Sequence, residues 1–189
     1  AWLADRKSVS PETVQLALEL AARDGDGPLY DTVLTQARAA QEPIEREKLL
    51  GLLGAFEDPA LVERTLALVA DDALDARDML EVLQALLVNP VARPQAWALY
   101  RDRFEPLNAR MRTDDAMGTL RLLSSMCSEA WGQEAEAVLG PKVQRLEGGT
   151  RMLERTLEGN RLCARAERQQ QPGVVAFLKA HAKGTPAKR

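Results

Sequence analysis

The stretch Gly54-Ala-Phe-Glu-Asp-Pro-Ala-Leu-Val-Glu-Arg-Thr-Leu-Ala-Leu-Val-Ala-Asp71 carries the signal from which the fold is read. Proline fixes φ and lacks an N–H, so it is tolerated in the first turn of a helix and damaging further in. Pro59 therefore marks a helix start, and Asp58 just before it supplies a capping carboxylate. A leucine-rich run follows. Upstream, Leu49, Leu52, Leu53 and Phe56 recur at helical spacing. One helix ends, a short break intervenes, and the next begins.

The same punctuation recurs along the chain. Pro11, Pro28, Pro43, Pro94, Pro106 and Pro172 also stand ahead of apolar-periodic runs. Ser10 and Gln171 precede two of these prolines as caps, while Asp75, Thr113 and Thr150 are placed to cap helices that start without one. The spacing predicts helices over about 11–24, 28–40, 43–55, 59–70, 76–88, 94–104, 114–127, 129–139, 151–169 and 173–182. No run alternates as a strand would.

Taken in pairs, these helices start roughly 32 to 38 residues apart, as in helix-turn-helix repeat arrays. Short loops make neighbours antiparallel, and the wide apolar face of 76–88 (Met79, Val82, Leu83, Leu86) needs cover on two sides. The expected fold class is all-α, a right-handed α-solenoid-like array of about five antiparallel helix pairs in a HEAT- or armadillo-like superhelix. A single domain is expected over residues 1–183, with a disordered tail over 184–189.

Composition agrees. The 189 residues are 46% hydrophobic and 28% charged, but only 4% aromatic, with Ala, Leu, Arg and Glu dominant. No segment approaches the roughly 20 apolar residues of a membrane span. The opening Ala1-Trp2-Leu3-Ala4-Asp5 lacks the pattern of a signal peptide, and its exposed apolar pair reads as a cut through a longer chain. A soluble protein is expected, with the compartment open and the cytoplasm slightly favoured.

Charge divides the chain. Residues 1–94 carry 17 acidic and 9 basic side chains, and residues 95–189 carry 11 acidic and 16 basic. A curved array would thus be electropositive toward one end of its concave surface, suiting a ligand carboxylate such as a peptide C-terminus. Net acidity and the lack of interleaved aromatics argue against nucleic acid as a partner. No membrane partner is expected either.

The residues of catalysis are missing. A catalytic zinc needs three protein ligands, and His181 is the only histidine, so H-E-x-x-H is absent. Ser124, Ser125 and Cys127 have no base at predictable reach. No phosphate-cradling glycine loop, G-x-S-x-G or dinucleotide fingerprint occurs. Asp71-Asp72 and Asp114-Asp115 read as capping groups at helix ends. Cys127 and Cys163 read as small core residues, a bridge between them being the alternative.

On the predicted helix 151–169, Arg151, Glu154, Arg155, Glu158, Arg161, Arg165 and Arg168 share one side, with Met152, Leu153, Leu157, Cys163 and Ala164 opposite. Asn160 falls within the apolar side, as a clasp between helices.

Three segments together resemble a known family. They are residues 54–71; residues 76–107, with Ala76-Arg77-Asp78, Asn89-Pro90, Arg93, Ala96-Trp97 and Phe104-Glu105-Pro106-Leu107; and residues 148–181, with Gly148-Gly149-Thr150-Arg151, Leu157-Glu158-Gly159-Asn160 and Phe177-Leu178. In order and spacing the chain is similar to the C-terminal helical domain of gluzincin zinc aminopeptidases. That group includes aminopeptidase N and the endoplasmic-reticulum and puromycin-sensitive enzymes. Arg161 and Cys163 depart from the aliphatic and aromatic residues that such domains often carry there.

The resemblance implies a parent that removes N-terminal residues from peptides with one zinc ion held in an upstream catalytic domain. This domain would wall the active-site cavity and position or gate the peptide, with no catalysis of its own. Its partners would be that upstream domain and the peptide. Asp78 and Asn89 suit capping and turn contacts, Trp97 suits the core, and Arg121 and Arg93 are candidates for a peptide carboxylate. A stand-alone helical-repeat scaffold for protein–protein interaction is the alternative.

Overall fold

The structure is a computed structural model, and it describes residues 2–71 and 74–182. Its helices are α1 (Pro11–Arg23), α2 (Gly27–Ala39), α3 (Pro43–Leu53), α4 (Pro59–Ala70), α5 (Ala76–Val88), α6 (Arg93–Asp102), α7 (Phe104–Ala109), α8 (Thr113–Leu122), α9 (Glu129–Val143) and α10 (Gly149–Ala182), with a 3₁₀ turn at Leu123–Met126. No strand occurs among the described residues. The chain is all-α and solenoid-like, as its periodicity implies.

Local chemistry starts the helices as predicted. Pro11, Pro28, Pro43, Pro59 and Pro94 occupy first turns. Asp58 accepts from the Ala60 and Leu61 amides, and Asp75 accepts from the Asp78 amide. Asp26 and Ser128 cap α2 and α9 in the same way. Ser10 stands at the N-cap of α1, but its hydroxyl meets Thr13 Oγ1 at 3.0 Å instead of a backbone amide.

Three expectations fail. Phe104–Ala109 forms a helix of its own. Pro141 lies inside α9, which continues to Val143, and Pro172 lies inside α10, which runs unbroken to Ala182. Proline's φ is compatible with a helix, and each ring removes only one backbone bond. Consequently Gln171 caps nothing, and Thr150 is an internal residue of α10. Asp72 and the 184–189 tail lie outside the described residues.

The chain forms two compact units, residues 1–119 and 120–189. In the first, α3 packs against α1, α2 and α5, while α5 packs against α3, α4 and α6. Leu49, Leu50, Leu52 and Leu53 are all buried, because the end of α3 is enclosed from several directions. The core continues through Met79, Val82, Leu83, Leu86 and Leu87 of α5 to Trp97, Tyr100 and Phe104. Gly54 makes the packing of α3 on α5 close: a Cβ there would sit 2.5 Å from the Ala85 Cβ and 2.8 Å from the Leu86 nitrogen.

Side-chain bonds tie each helix pair to the next. Thr65 Oγ1 donates to Tyr30 Oη across 35 residues, and Asn89 donates to the Gly54 carbonyl, also across 35. Arg46 reaches Asp78 across 32, and Arg110 reaches the Leu74 carbonyl across 36. These separations match the spacing read from the helix starts, because stacking brings equivalent positions of successive pairs together.

In the second unit α10 packs on α9 and on the 3₁₀ turn. Leu153, Thr156, Leu157, Asn160 and Ala164 form its buried face, and the predicted charged stripe is exposed from Arg151 to Arg168. Cys127 and Cys163 form a disulfide with Cα atoms 4.9 Å apart, so the bridge replaces the reading of two free core thiols. Their positions on separate elements, at the 3₁₀ turn and on α10, are invisible to a local pattern.

Candidate functional site

Arg93, the first residue of α6, turns back on α5. Its Nε donates to the Leu87 carbonyl at 2.9 Å and one Nη to the Val88 carbonyl at 3.0 Å. A helix leaves its last carbonyls without intrahelical donors, and the guanidinium supplies two. Arg121 lies in the last turn of α8 and is exposed. Arg93 falls in the first compact unit and Arg121 in the second.

The other predicted positions resolve as architecture. Asn89 Nδ2 donates to the Gly54 and Phe56 carbonyls at 3.0 and 2.9 Å, while its Oδ1 accepts from the Val91 amide at 2.9 Å. It thus clasps the α3–α4 connection to the α5–α6 turn, as expected of a turn contact. Trp97 is buried beside Tyr100. Asp78 departs from expectation: its carboxylate caps nothing but accepts from Arg46 Nε of α3 at 2.7 Å.

Two concave surfaces line the first unit. A cleft of about 200 Å³ is walled almost wholly by apolar side chains, among them Trp2, Leu3, Val14, Leu18, Leu29 and Leu52. A groove of about 140 Å³ crosses α1, α3 and α5, with Gly51, Ala55 and Ala85 as its small residues and Glu19, Arg23 and Glu57 as its charged ones. One turn before Gly51 and Ala85 on the same helices stand Glu47 and Glu81. Burial, and then the neighbouring Glu47 carboxylate, push the Glu81 carboxyl above its ordinary range.

In the second unit a groove of about 270 Å³ is lined by Glu129, Gly132, Gln133, Glu136, Leu157 and Arg161. Fully buried Asn160 explains Gly132, because a Cβ there would lie 3.0 Å from Asn160 Oδ1. Arg168 donates to Glu129 at 2.7 Å.

These groups do not assemble a catalytic constellation. Cys127 is bonded, and the Ser124 hydroxyl donates to the Arg121 carbonyl at 2.8 Å. His181 is exposed near the end of α10, its ring stacked on Phe177 with centroids 4.0 Å apart. Among the described residues, no group of three His, Cys, Asp or Glu side chains is arranged to hold a metal ion.

A sequence model of the ERAP1-like C-terminal domain matches residues 1–162. The chain belongs to that family. The ERAP1-like C-terminal domain is what the three resembling segments imply, and it makes this chain the C-terminal domain of an aminopeptidase. No curated protein matches the chain. The family match ends one residue before Cys163, so neither the disulfide's second half nor the rest of α10 falls within it.

Sequence reading missed three structural residues of this ERAP1-like domain. Arg46 holds Asp78, Arg110 donates to the Val69, Asp71 and Leu74 carbonyls, and Arg6 binds Glu45 and Gln36. Each arginine lies roughly one repeat from its partner. Searching oppositely charged residues at that separation would have flagged Arg46 with Asp78.

Proposed function

We propose that this domain walls the active-site cavity of a zinc aminopeptidase that removes N-terminal residues from peptides, and that it positions or gates the peptide without chemistry of its own. The observation that carries the reading is family membership over residues 1–162. A wall of this kind contributes exclusion and positioning. Among the described residues none group as a zinc site, and in this reading the ion is held by an upstream catalytic domain of the same chain. The one-repeat spacing of Tyr30–Thr65, Asn89–Gly54 and Arg110–Leu74 supports a HEAT-like array.

For the peptide carboxylate, exposed Arg121 is favoured over Arg93, whose donors are engaged by α5 carbonyls. The disulfide favours an oxidising compartment over the cytoplasm, where thiols are kept reduced. No helix of the described residues is long and apolar enough to cross a membrane.

The test compares the full-length parent enzyme with one carrying Arg121→Ala, on single-residue and long-peptide substrates. The reading expects KM to rise for the long peptide, by roughly tenfold for a lost charge-assisted bond, with single-residue turnover unchanged. Equal effects on both substrates would reject the carboxylate role. Retention of full length-dependent activity without residues 1–189 would reject the wall and favour the free-standing scaffold.

A further inference from the structure

Beyond Ala164 the C-terminal helix changes character. Its first half buries Leu153, Thr156, Leu157, Asn160 and Ala164, whereas every residue from Glu167 to His181 is exposed. At 100° per residue the buried face continues into this exposed part as Val174, Val175 and Leu178, and Phe177 and His181 widen it on one side, after Val174 and beside Leu178. The spacing i, i+3, i+4, i+7 is that of an amphipathic helix. Val174, Phe177 and Leu178 are 53%, 60% and 58% exposed. No described residue covers them.

Two further observations bear on what does. Pro172 and Gly173, the weakest helix formers, lie inside this stretch, where no packing within the unit offsets them. Charge then narrows the choice. After Glu167 the sequence holds no acidic side chain, but holds Arg168, Lys179, Lys183, Lys188 and Arg189, in a protein whose net charge is −3. Two copies of such a helix would oppose like charges, so self-pairing is disfavoured.

We propose that residues 168–182, which carry no carboxylate, form an anchor that lies in the plane of an anionic phospholipid surface. Val174, Phe177 and Leu178 would enter the boundary between headgroups and acyl chains, while Arg168 and Lys179 on the opposite side of the helix meet the lipid phosphates. A protein groove tolerates scattered acids on its ligand, whereas an anionic surface repels an acid at every position. The uninterrupted absence of carboxylates therefore favours lipid. The expectation of no membrane partner rested on the lack of a spanning segment, and a surface-lying helix requires none.

The experiment is co-sedimentation of the whole chain with phosphatidylcholine vesicles, and with vesicles in which roughly one third of the lipid is phosphatidylglycerol. Binding to the anionic vesicles is expected, weaker by about tenfold on neutral vesicles and lost at high salt. Phe177→Glu with Leu178→Glu should abolish it, and Lys179→Gln should weaken it by a factor of about 3 to 5. These positions are exposed, so near-ultraviolet circular dichroism should not change. Absence of binding, equal binding to both vesicles, or full binding by the double variant would each overturn the proposal. So would concentration-dependent self-association that the double variant abolishes without lipid.

Discussion

Cys127 is covalently bonded to Cys163 on α10, across 36 residues. Cys127 also adopts a left-handed backbone, φ 50°, a conformation that costs a residue with a Cβ about 1–2 kcal/mol. The bond therefore holds a turn that the backbone alone disfavours, and Ser128 caps α9 immediately afterwards.

Replacing both cysteines by serine, or adding a dithiol reductant, should destabilise the second unit by about 2–4 kcal/mol through release of the closed loop. Calorimetry with and without reductant checks this. The parent's transition should fall on reduction, and the double-serine protein's should not move.

Gly54 and Gly51 should respond to alanine in opposite directions. At Gly54 the new Cβ collides with Ala85 and the backbone of α5, and overpacking of this kind costs about 1–3 kcal/mol. At Gly51, inside α3, nothing lies within 4 Å of the added carbon, so Gly51→Ala should gain up to about 1 kcal/mol from helix propensity. Urea unfolding of the two variants gives both signs in one experiment.

Asp78 is buried and Arg46 is about one-third exposed, so removing the carboxylate leaves a half-solvated guanidinium against the core. Asp78→Ala should cost about 1–3 kcal/mol. Asp78→Asn, which keeps an acceptor oxygen, should cost less. A double cycle with Arg46→Met isolates the pair, and additive losses would show that the two side chains are not coupled.

Glu81 sets a dependence on pH. Its folded-state affinity for a proton is raised, so its contribution to stability is full below the ordinary carboxylate value and is lost as pH rises through the raised one. Glu81→Gln should therefore melt higher than the parent at about pH 8 and equal it at about pH 4. The gain is small, because solvent screens a half-exposed group.

How much of this was legible beforehand varies with the range of the interaction. Asp58-Pro59 and Asp75 announced helix starts because a cap acts on amides two or three residues away. Asn160 announced itself as an amide on an apolar stripe, and it is fully buried. Pro172 misled, because proline forbids one backbone bond but does not forbid the helix. At Arg93 the charge was visible, but the α5 carbonyls that its guanidinium meets were not.

By itself, therefore, the sequence determined an all-helical chain, the period of its helix pairs, its family, and its lack of a zinc ligand set. All of these rest on residue type and local spacing, which need no coordinates. Only the tertiary structure decided that Cys127 meets Cys163, that Asp78 meets Arg46 rather than a helix end, and that Arg93 is engaged by α5. It also decided that α10 outruns its cover after Ala164. The first two depend on elements about a repeat apart coming to within a few ångströms, and the last two on which groups the packing leaves engaged or uncovered; both are set by how helices stack.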